Sequence, residues 1–312
     1  MRVLITGGAG FIGSHLALTL QNRASVRILD NLRTGDRRRL EGCVVDFVNA
    51  SVLDTAALQG AISGIDLVFH LAAMVGVQES MDNPRGCIET NVIGTLNVLA
   101  AAADAGVRKL VFASSAAIYG DDPPVPTPET APPSPKSPYA MSKLDGEYLC
   151  EMFRREKRLK TATLRFFNVF GPGQDPASPY AAAVPTFLRR AMSGEDVTIF
   201  GDGEQTRDFV YVKDIVASLL FVAENSDLTG AYNCGYARQT TINEIASRIL
   251  ALTHSRSRLV HLPARPGDVR HSCASTERLQ AAGWHPVGGL EEGLRETVQA
   301  FRRESPESAR SS

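Results

Sequence analysis

The chain is poor in several features that would otherwise decide its class. It has five cysteines (Cys43, Cys87, Cys150, Cys234 and Cys273), scattered, odd in number and without a CxxC pair. That argues against a disulfide framework or a zinc site, leaves no metal to expect, and suits a reducing, cytoplasmic setting. Neither sign of charge is in excess: 33 Lys and Arg against 34 Asp and Glu leave a net charge of −1. No bulk attraction to nucleic acid or to a membrane surface is therefore expected. No apolar run reads as long enough to insert in a membrane, and a strand expected from residue 2 leaves no room for a signal peptide. Internal repeats are absent, and only Ser305 to Ser312 reads as a disordered tail. What remains is a chain of 312 residues and ordinary composition, long enough for one large domain or two interleaved ones.

Its beginning is the most informative stretch. Met1-Arg2-Val3-Leu4-Ile5-Thr6 is a short apolar run that reads as a buried strand. It breaks into Gly7-Gly8-Ala9-Gly10-Phe11-Ile12-Gly13, and an apolar helical pattern follows from Ser14 to Leu20. Strand, glycine turn and helix in succession are how a dinucleotide-binding unit starts. Gly7 permits the tight turn, Gly10 lets the backbone approach a pyrophosphate, and Gly13 lets the helix pack closely on its strand. The first helical N–H groups then face the phosphates. Asp30 ends the next apolar run, seventeen residues past Gly13, where a carboxylate can accept from a ribose diol. It would repel a 2′-phosphate, so NAD rather than NADP is expected. Arg37-Arg38-Arg39 is most simply a solvated charge run.

Strand-helix alternation continues through strands at Cys43 to Val48, Asp66 to Leu71, Lys109 to Ser114 and Thr161 to Phe167. Ile88 to Ala103 has the period of a half-buried helix, Asp121 to Pro138 is a proline-rich loop, and Ser137-Pro138 opens a helix to about Arg155. After Gly171-Pro172-Gly173 the alternation loosens into a short helix (Val184 to Met192), a strand (Val197 to Phe200) and a Gly201-Asp202-Gly203 turn. It returns with Phe209 to Val212, a helix from Lys213 to Glu224 and a strand at Ala231 to Cys234; Ile242 to Leu252 and Leu290 to Phe301 are further amphipathic helices. The fold expected is α/β, a doubly wound parallel sheet of Rossmann type with a smaller, interleaved C-terminal substrate lobe. Residues 1–169 plus 209–236 would form the first unit, and 170–208 plus 237–304 the second.

Tyr139 and Lys143 lie four apart on the helix that Pro138 opens, so they share a face. An ammonium beside a phenol favours the phenolate and would lower its pKa from about 10 toward neutrality. Ser115 leaves its strand at the carboxyl edge, where ligands bind in such sheets, and could hold a substrate oxygen against Tyr139. An ordinary amphipathic helix gives the same Tyr/Lys spacing. The dinucleotide unit upstream and the Ser114-Ser115 strand end favour the catalytic reading.

With these residues in view, the chain resembles the extended short-chain dehydrogenase/reductases, and within them the NAD-dependent nucleotide-sugar epimerases. The shared motifs run nearly end to end. They include Asp30-Asn31-Leu32, His70-Leu71-Ala72-Ala73, Asn91-Val92-Ile93-Gly94-Thr95 and Ser114-Ser115-Ala116. Tyr139-Ala140-Met141-Ser142-Lys143, Arg165 to Pro172, Arg207-Asp208-Phe209-Val210 and Arg265-Pro266-Gly267-Asp268 continue the series. The resemblance implies C4 epimerisation of a UDP-hexose with tightly held NAD. Tyr139 would be acid and base, Lys143 would hold the nicotinamide ribose, and Ser115 would relay or position the proton. The cofactor would touch Gly7, Gly10, Phe11, Ile12, Gly13, Asp30, Asn31, Leu71, Ala72, Ala73, Asn91, Tyr139 and Lys143. The sugar nucleotide would meet Ser115, Asn168, Phe200, Arg207, Arg265, Asp268 and Ser272. Arginine suits the diphosphate, since its guanidinium donates bidentate, charge-assisted hydrogen bonds.

The resemblance also implies a homodimer paired through the Ile88–Ala103 and Pro138–Arg155 helices, with Met141, Leu149 and Phe153 on the second. Ser51 stands where relatives carry an adenine-facing aspartate. Ser115-Ala116-Ala117 lacks the acid and base of the sugar dehydratases, and Asn168 replaces the threonine typical of uronic-acid enzymes. Ser272 stands where a tyrosine crowds the sugar in glucose-restricted relatives, so N-acetylated UDP-hexoses are expected to fit. Other nucleotide-sugar epimerases, including those of UDP-glucuronate, and reductases or dehydrogenases share the scaffold. So does a non-catalytic NAD-binding protein.

Overall fold

Buried apolar runs separated by amphipathic ones fold into alternating strands and helices. The computed structural model describes residues 1–157, 159–175, 182–264 and 269–304. Its first part runs β1 (Arg2–Thr6), α1 (Phe11–Leu20), β2 (Ser25–Asp30), β3 (Asp46–Asn49), α2 (Thr55–Ile62), β4 (Leu67–His70), α3 (Val77–Asp82) and α4 (Pro84–Ile88). It continues with α5 (Gly94–Asp104), β5 (Lys109–Ser115), α6 (Pro138–Glu156), β6 (Lys160–Phe166), β7 (Asn168–Phe170), α7 (Ala183–Met192), β8 (Val197–Phe200) and β9 (Thr206–Arg207). The rest is β10 (Phe209–Tyr211), α8 (Val212–Glu224), β11 (Gly230–Cys234), β12 (Thr240–Thr241), α9 (Ile242–Thr253), β13 (Leu259–Leu262), α10 (Glu277–Ala281) and α11 (Leu290–Glu304).

Seven of the strands make one parallel sheet in the order β11-β6-β5-β4-β1-β2-β3. That is the doubly wound order, in which the chain reverses direction between β1 and β4 and leaves a crevice at their carboxyl ends. Alternate residues of β1 point to opposite layers. Val3 and Ile5 pack with Leu16 and Leu20 of α1 and Ile215 and Leu219 of α8. Leu4 packs with Leu58 of α2, Leu99 of α5 and Phe153 of α6.

A third core joins α7, α9 and α11 through Phe187, Leu188, Ile245, Ile249, Leu294 and Val298. Strand β10 is the seam: Val210 faces the sheet's core, while Phe209 and Tyr211 face the third core. The five cysteines are unpaired, and all but the half-buried Cys43 are buried.

Several boundaries differ from expectation. The third strand is Asp46–Asn49 rather than 43–48, because its ladder with β2 sets Arg27 opposite Asp46 and Asp30 opposite Asn49. The helix expected from Ile88 starts at Pro84, capped by Asn83, whose side chain accepts from the Gly86 N–H at 3.0 Å. A π turn at Glu89–Ile93 links it to α5. Taken together, Pro84–Asp104 spans 21 residues and reaches the length and apolarity of a membrane span, contrary to the sequence reading. Much of it is core, with Cys87, Val98, Leu99 and Ala102 buried. The tail from 305 onward lies outside the described residues.

Candidate active site

The glycine turn closes the carboxyl end of β1. Gly7 has φ +72°, and a Cβ there would lie 2.7 Å from the Ala72 backbone nitrogen. At Gly13 a Cβ would come within 2.3 Å of the Gly7 carbonyl oxygen, so the helix start presses directly on the turn. Gly10 differs: a Cβ would meet only the Gly7 carbonyl within 4 Å, at 3.1 Å, which leaves the outer side of the turn open to a ligand. Phe11 and Ile12 begin α1 there with N–H groups that no helix satisfies internally. Asp30 is held beneath them, one carboxylate oxygen accepting from Ala9 N–H at 2.9 Å and the other from Leu32 N–H at 2.8 Å.

The neighbouring arginines are engaged within the protein. Arg33 pairs with Glu79 at 2.5 Å, Arg38 pairs with Asp36 at 2.7 Å, and Arg37 lies over the Phe47 ring. Asn31 accepts from Arg33 N–H at 3.1 Å, and Ser51 accepts from Leu53 N–H at 3.2 Å as a turn serine. Glycine turn, open outer side and anchored carboxylate fit a dinucleotide.

At the end of β4 the loop Leu71-Ala72-Ala73 is pinned by a buried histidine. His70 contacts Thr6 Oγ1 through Nδ1 at 2.7 Å and Thr95 Oγ1 through Nε2 at 2.9 Å. The Thr95 hydroxyl gives its proton to Asn91 O at 2.5 Å, so it must accept from Nε2–H, and Nδ1 accepts from Thr6. Burial pushes the ring's pKa down to about 3, which leaves it neutral with Nδ1 as the acceptor. Asn91 sits in the π turn, 2% exposed. It binds both polar backbone atoms of Met74 and donates to Ser142 at 2.9 Å. It thus shapes the loop at the crevice, with its amide turned inward.

Helix α6 starts where Ser137 caps it and Pro138 takes its first position. Gly146 lets it lie close on β5, since a Cβ there would strike the Phe112 ring at 2.4 Å. That approach sets Tyr139 near Ser115, whose side chain accepts from Ala117 N–H at 3.2 Å and favours the ionised phenol. Lys143 is buried, donates to Ala113 O at 2.8 Å and lies 5.9 Å from the Tyr139 ring centroid. Burial raises the Tyr139 pKa above its ordinary value, and the Ser115 side chain partly offsets this. The expected lowering by Lys143 is not seen. Its ammonium is turned to a backbone carbonyl, and burial brings its own pKa down to about 8.

Across the crevice, Asn168 opens β7 with an exposed side chain and pairs with Phe209. Phe200 ends β8 half-buried, and Arg207 lies on β9, donating to Thr206 O at 2.8 Å. Ser272 is half-buried beside β9, its N–H donating to Thr206 O at 3.1 Å. Arg265 and Asp268 lie outside the described residues.

Two polar centres were not singled out from the sequence. Asp208, fully buried, accepts from the N–H groups of Tyr236 (2.8 Å), Ala237 (3.0 Å) and Ala274 (3.1 Å), and burial pushes its pKa up to about 6. Glu147 makes a buried ion pair with Arg165 at 2.7 Å. Its signal in the sequence is its place on α6, one turn beyond Lys143 and on the same face.

The profile of the NAD dependent epimerase/dehydratase family matches residues 3–235. A UDP-N-acetylglucosamine 4-epimerase of Methanobrevibacter ruminantium M1, solved in complex with UDP-N-acetylmuramic acid, is 37% identical. The match covers 97% of this chain and 99% of that one, with a TM-score of 0.94. The UDP-glucose 4-epimerase of Thermus thermophilus, solved with NAD, is 38% identical over 98% of this chain and 100% of its own, with a TM-score of 0.90. A UDP-N-acetyl-alpha-D-glucosaminuronate decarboxylase of Bacillus cytotoxicus is 36% identical over 96% of this chain and 98% of that protein. With that profile matched over residues 3–235 and these likenesses running over nearly the whole length, the chain belongs to the NAD dependent epimerase/dehydratase family.

Proposed function

We propose that the chain interconverts UDP-hexoses at C4, and that it accepts UDP-N-acetylglucosamine and UDP-N-acetylgalactosamine as well as UDP-glucose and UDP-galactose. The observation that carries this reading is Tyr139 beside Ser115 and one helical turn ahead of the buried Lys143, whose ammonium lies 5.9 Å from the phenol ring centroid. NAD, held by the glycine turn and Asp30, would supply the hydride acceptor and donor for the sugar carbon. The chain's own part is proton transfer and orientation. Tyr139 takes the proton of the C4 hydroxyl and gives one back, with Ser115 holding that oxygen against the phenol. Lys143 holds the ribose and supplies positive charge. Residues 1–169 and 209–236 hold the dinucleotide, with Asp30 accepting from the adenosine ribose. Residues 170–208 and 237–304 hold the sugar nucleotide, with Arg207 and Arg265 on the diphosphate, Asp268 on the uridine ribose, Phe200 beside the uracil and Asn168 at the sugar. Two copies pair through the exposed faces of the α4–α5 stretch and α6, and the enzyme works in the cytoplasm.

Loss of carboxylate from a UDP-uronate needs the same oxidation at C4, and a decarboxylase stands among the relatives. The uncharged Asn168 amide favours a neutral sugar. The deciding experiment incubates the protein with UDP-glucose, UDP-galactose, their N-acetylated counterparts and UDP-glucuronate, and reads the products by NMR. Epimerised hexoses are expected. Release of carbon dioxide from the uronate, with the hexoses unchanged, would overturn the proposal.

A further inference from the structure

Ser114, Arg165 and Asn233 lie opposite one another on the adjacent strands β5, β6 and β11. They form a buried polar row directly behind the Ser115 strand end. Glu147 meets this row from α6. One carboxylate oxygen accepts from the Ser114 hydroxyl at 2.5 Å, and the pair of oxygens takes the Arg165 Nε and NH2 groups at 2.7–3.2 Å. Arg165 also donates to the Tyr119 hydroxyl at 2.7 Å, and that hydroxyl donates to Asn233 Oδ1 at 2.7 Å. The Asn233 amide then donates to Thr127 O at 2.8 Å and to Ser275 O at 3.2 Å, the latter in the segment that also carries Ser272. Glu147 and Tyr119 thus link the three side chains of the row to one another. Yet an apolar core would hold the layers equally well, and a buried ion pair is poor evidence of a stability role.

We propose that Glu147 is a positioning residue for proton transfer. By holding Ser114 and Arg165 it keeps Ser115 at Tyr139, and through Tyr119 and Asn233 it extends the same restraint to the wall containing Ser272. Its carboxylate also favours the charged form of Lys143. The inference rests on Tyr139 as acid and base, and not on which UDP-sugar is the substrate.

Two variants test it. Ser114→Ala removes one donor and leaves the ion pair; Glu147→Gln keeps the shape and removes the charge. In each, the titration of the Tyr139 phenol is followed by tyrosinate absorbance, as the difference from the same protein carrying Tyr139→Phe. The phenol is expected to titrate at higher pH in both variants, because the Ser115 side chain that favours its ionised form is no longer held beside it. Turnover should fall about tenfold for Ser114→Ala and up to about a hundredfold for Glu147→Gln, the scale of a misplacement of about 1 Å, with KM nearly unchanged. A phenol titration that coincides with wild type and turnover within about twofold would overturn the proposal and leave the ion pair a purely structural role. If Glu147→Gln does not fold, Ser114→Ala decides alone. If no sugar is turned over, the titration decides. Full activity of Tyr139→Phe would instead defeat the reading of Tyr139 itself.

Discussion

In the proposed reaction the chemistry turns on the Tyr139 phenol, and its surroundings pull in two directions. Burial disfavours the phenolate and the Ser115 contact favours it. Tyr139→Phe should fold and keep its dinucleotide while losing turnover by about 10²–10⁴, measured as kcat on the preferred sugar. The spacing of Tyr139, Lys143 and Ser115 was legible in the sequence because helix period and strand ends are local properties. The direction in which Lys143 points was not, since it depends on how closely Gly146 lets α6 approach Phe112.

His70 gives a second prediction at this scale. Its folded pKa of about 3 lies below the unfolded value of about 6.5, so the unfolded chain binds a proton that the folded one refuses. The stabilisation is full above pH 6.5 and is lost as pH falls toward 3, at roughly 1.4 kcal/mol per pH unit. Urea denaturation at pH 7 and pH 5 should show this slope, and His70→Gln should flatten it by about one proton. At Ser272 the expectation is steric: Ser272→Tyr should lose the N-acetylated pair and spare the simple hexoses, read as the ratio of the two activities.

Among the elements, α6 carries two stripes. The inner one is Ser142, Lys143, Gly146, Glu147, Cys150 and Phe153, all buried against the sheet. The outer one is Met141, Tyr148 and Met152, exposed by 46–61%, with Ile88 and Ile93 exposed on the neighbouring stretch. Helical period alone gives the spacing of such stripes but not which of them faces the sheet. That is why Phe153, expected at a dimer interface, is only 5% exposed and belongs to the core. If the outer faces pair two copies, Tyr148→Glu together with Met152→Glu should halve the mass seen by light scattering at micromolar concentration. An unchanged mass would move the interface elsewhere.

Seen whole, the chain was most legible where neighbours in sequence are neighbours in space. The alternation that builds β1, α1 and β2 is of this kind. Pairings between distant segments were not legible. Strand β13 exists because Leu259–Leu262 finds Val197–Phe200 some sixty residues earlier. Strand β10 divides its side chains between two cores only once both have formed. The buried Asp208 and Glu147 belong to the same class, since each gathers partners from segments far apart in the chain.

The unpaired cysteines turn this architecture into a set of internal clocks. Burial raises the pKa of all five, and four of them, Cys87, Cys150, Cys234 and Cys273, are closed off from solvent. Because the thiolate is the reactive form, a disulfide reagent should titrate Cys43 first in the native protein and reach the others only when their surroundings open. Mass spectrometry of the labelled peptides would time the opening of the α4–α6 layer through Cys87 and Cys150, of the opposite layer through Cys234, and of the Ser272 wall through Cys273. A sugar nucleotide seated in the crevice should slow the last of these most.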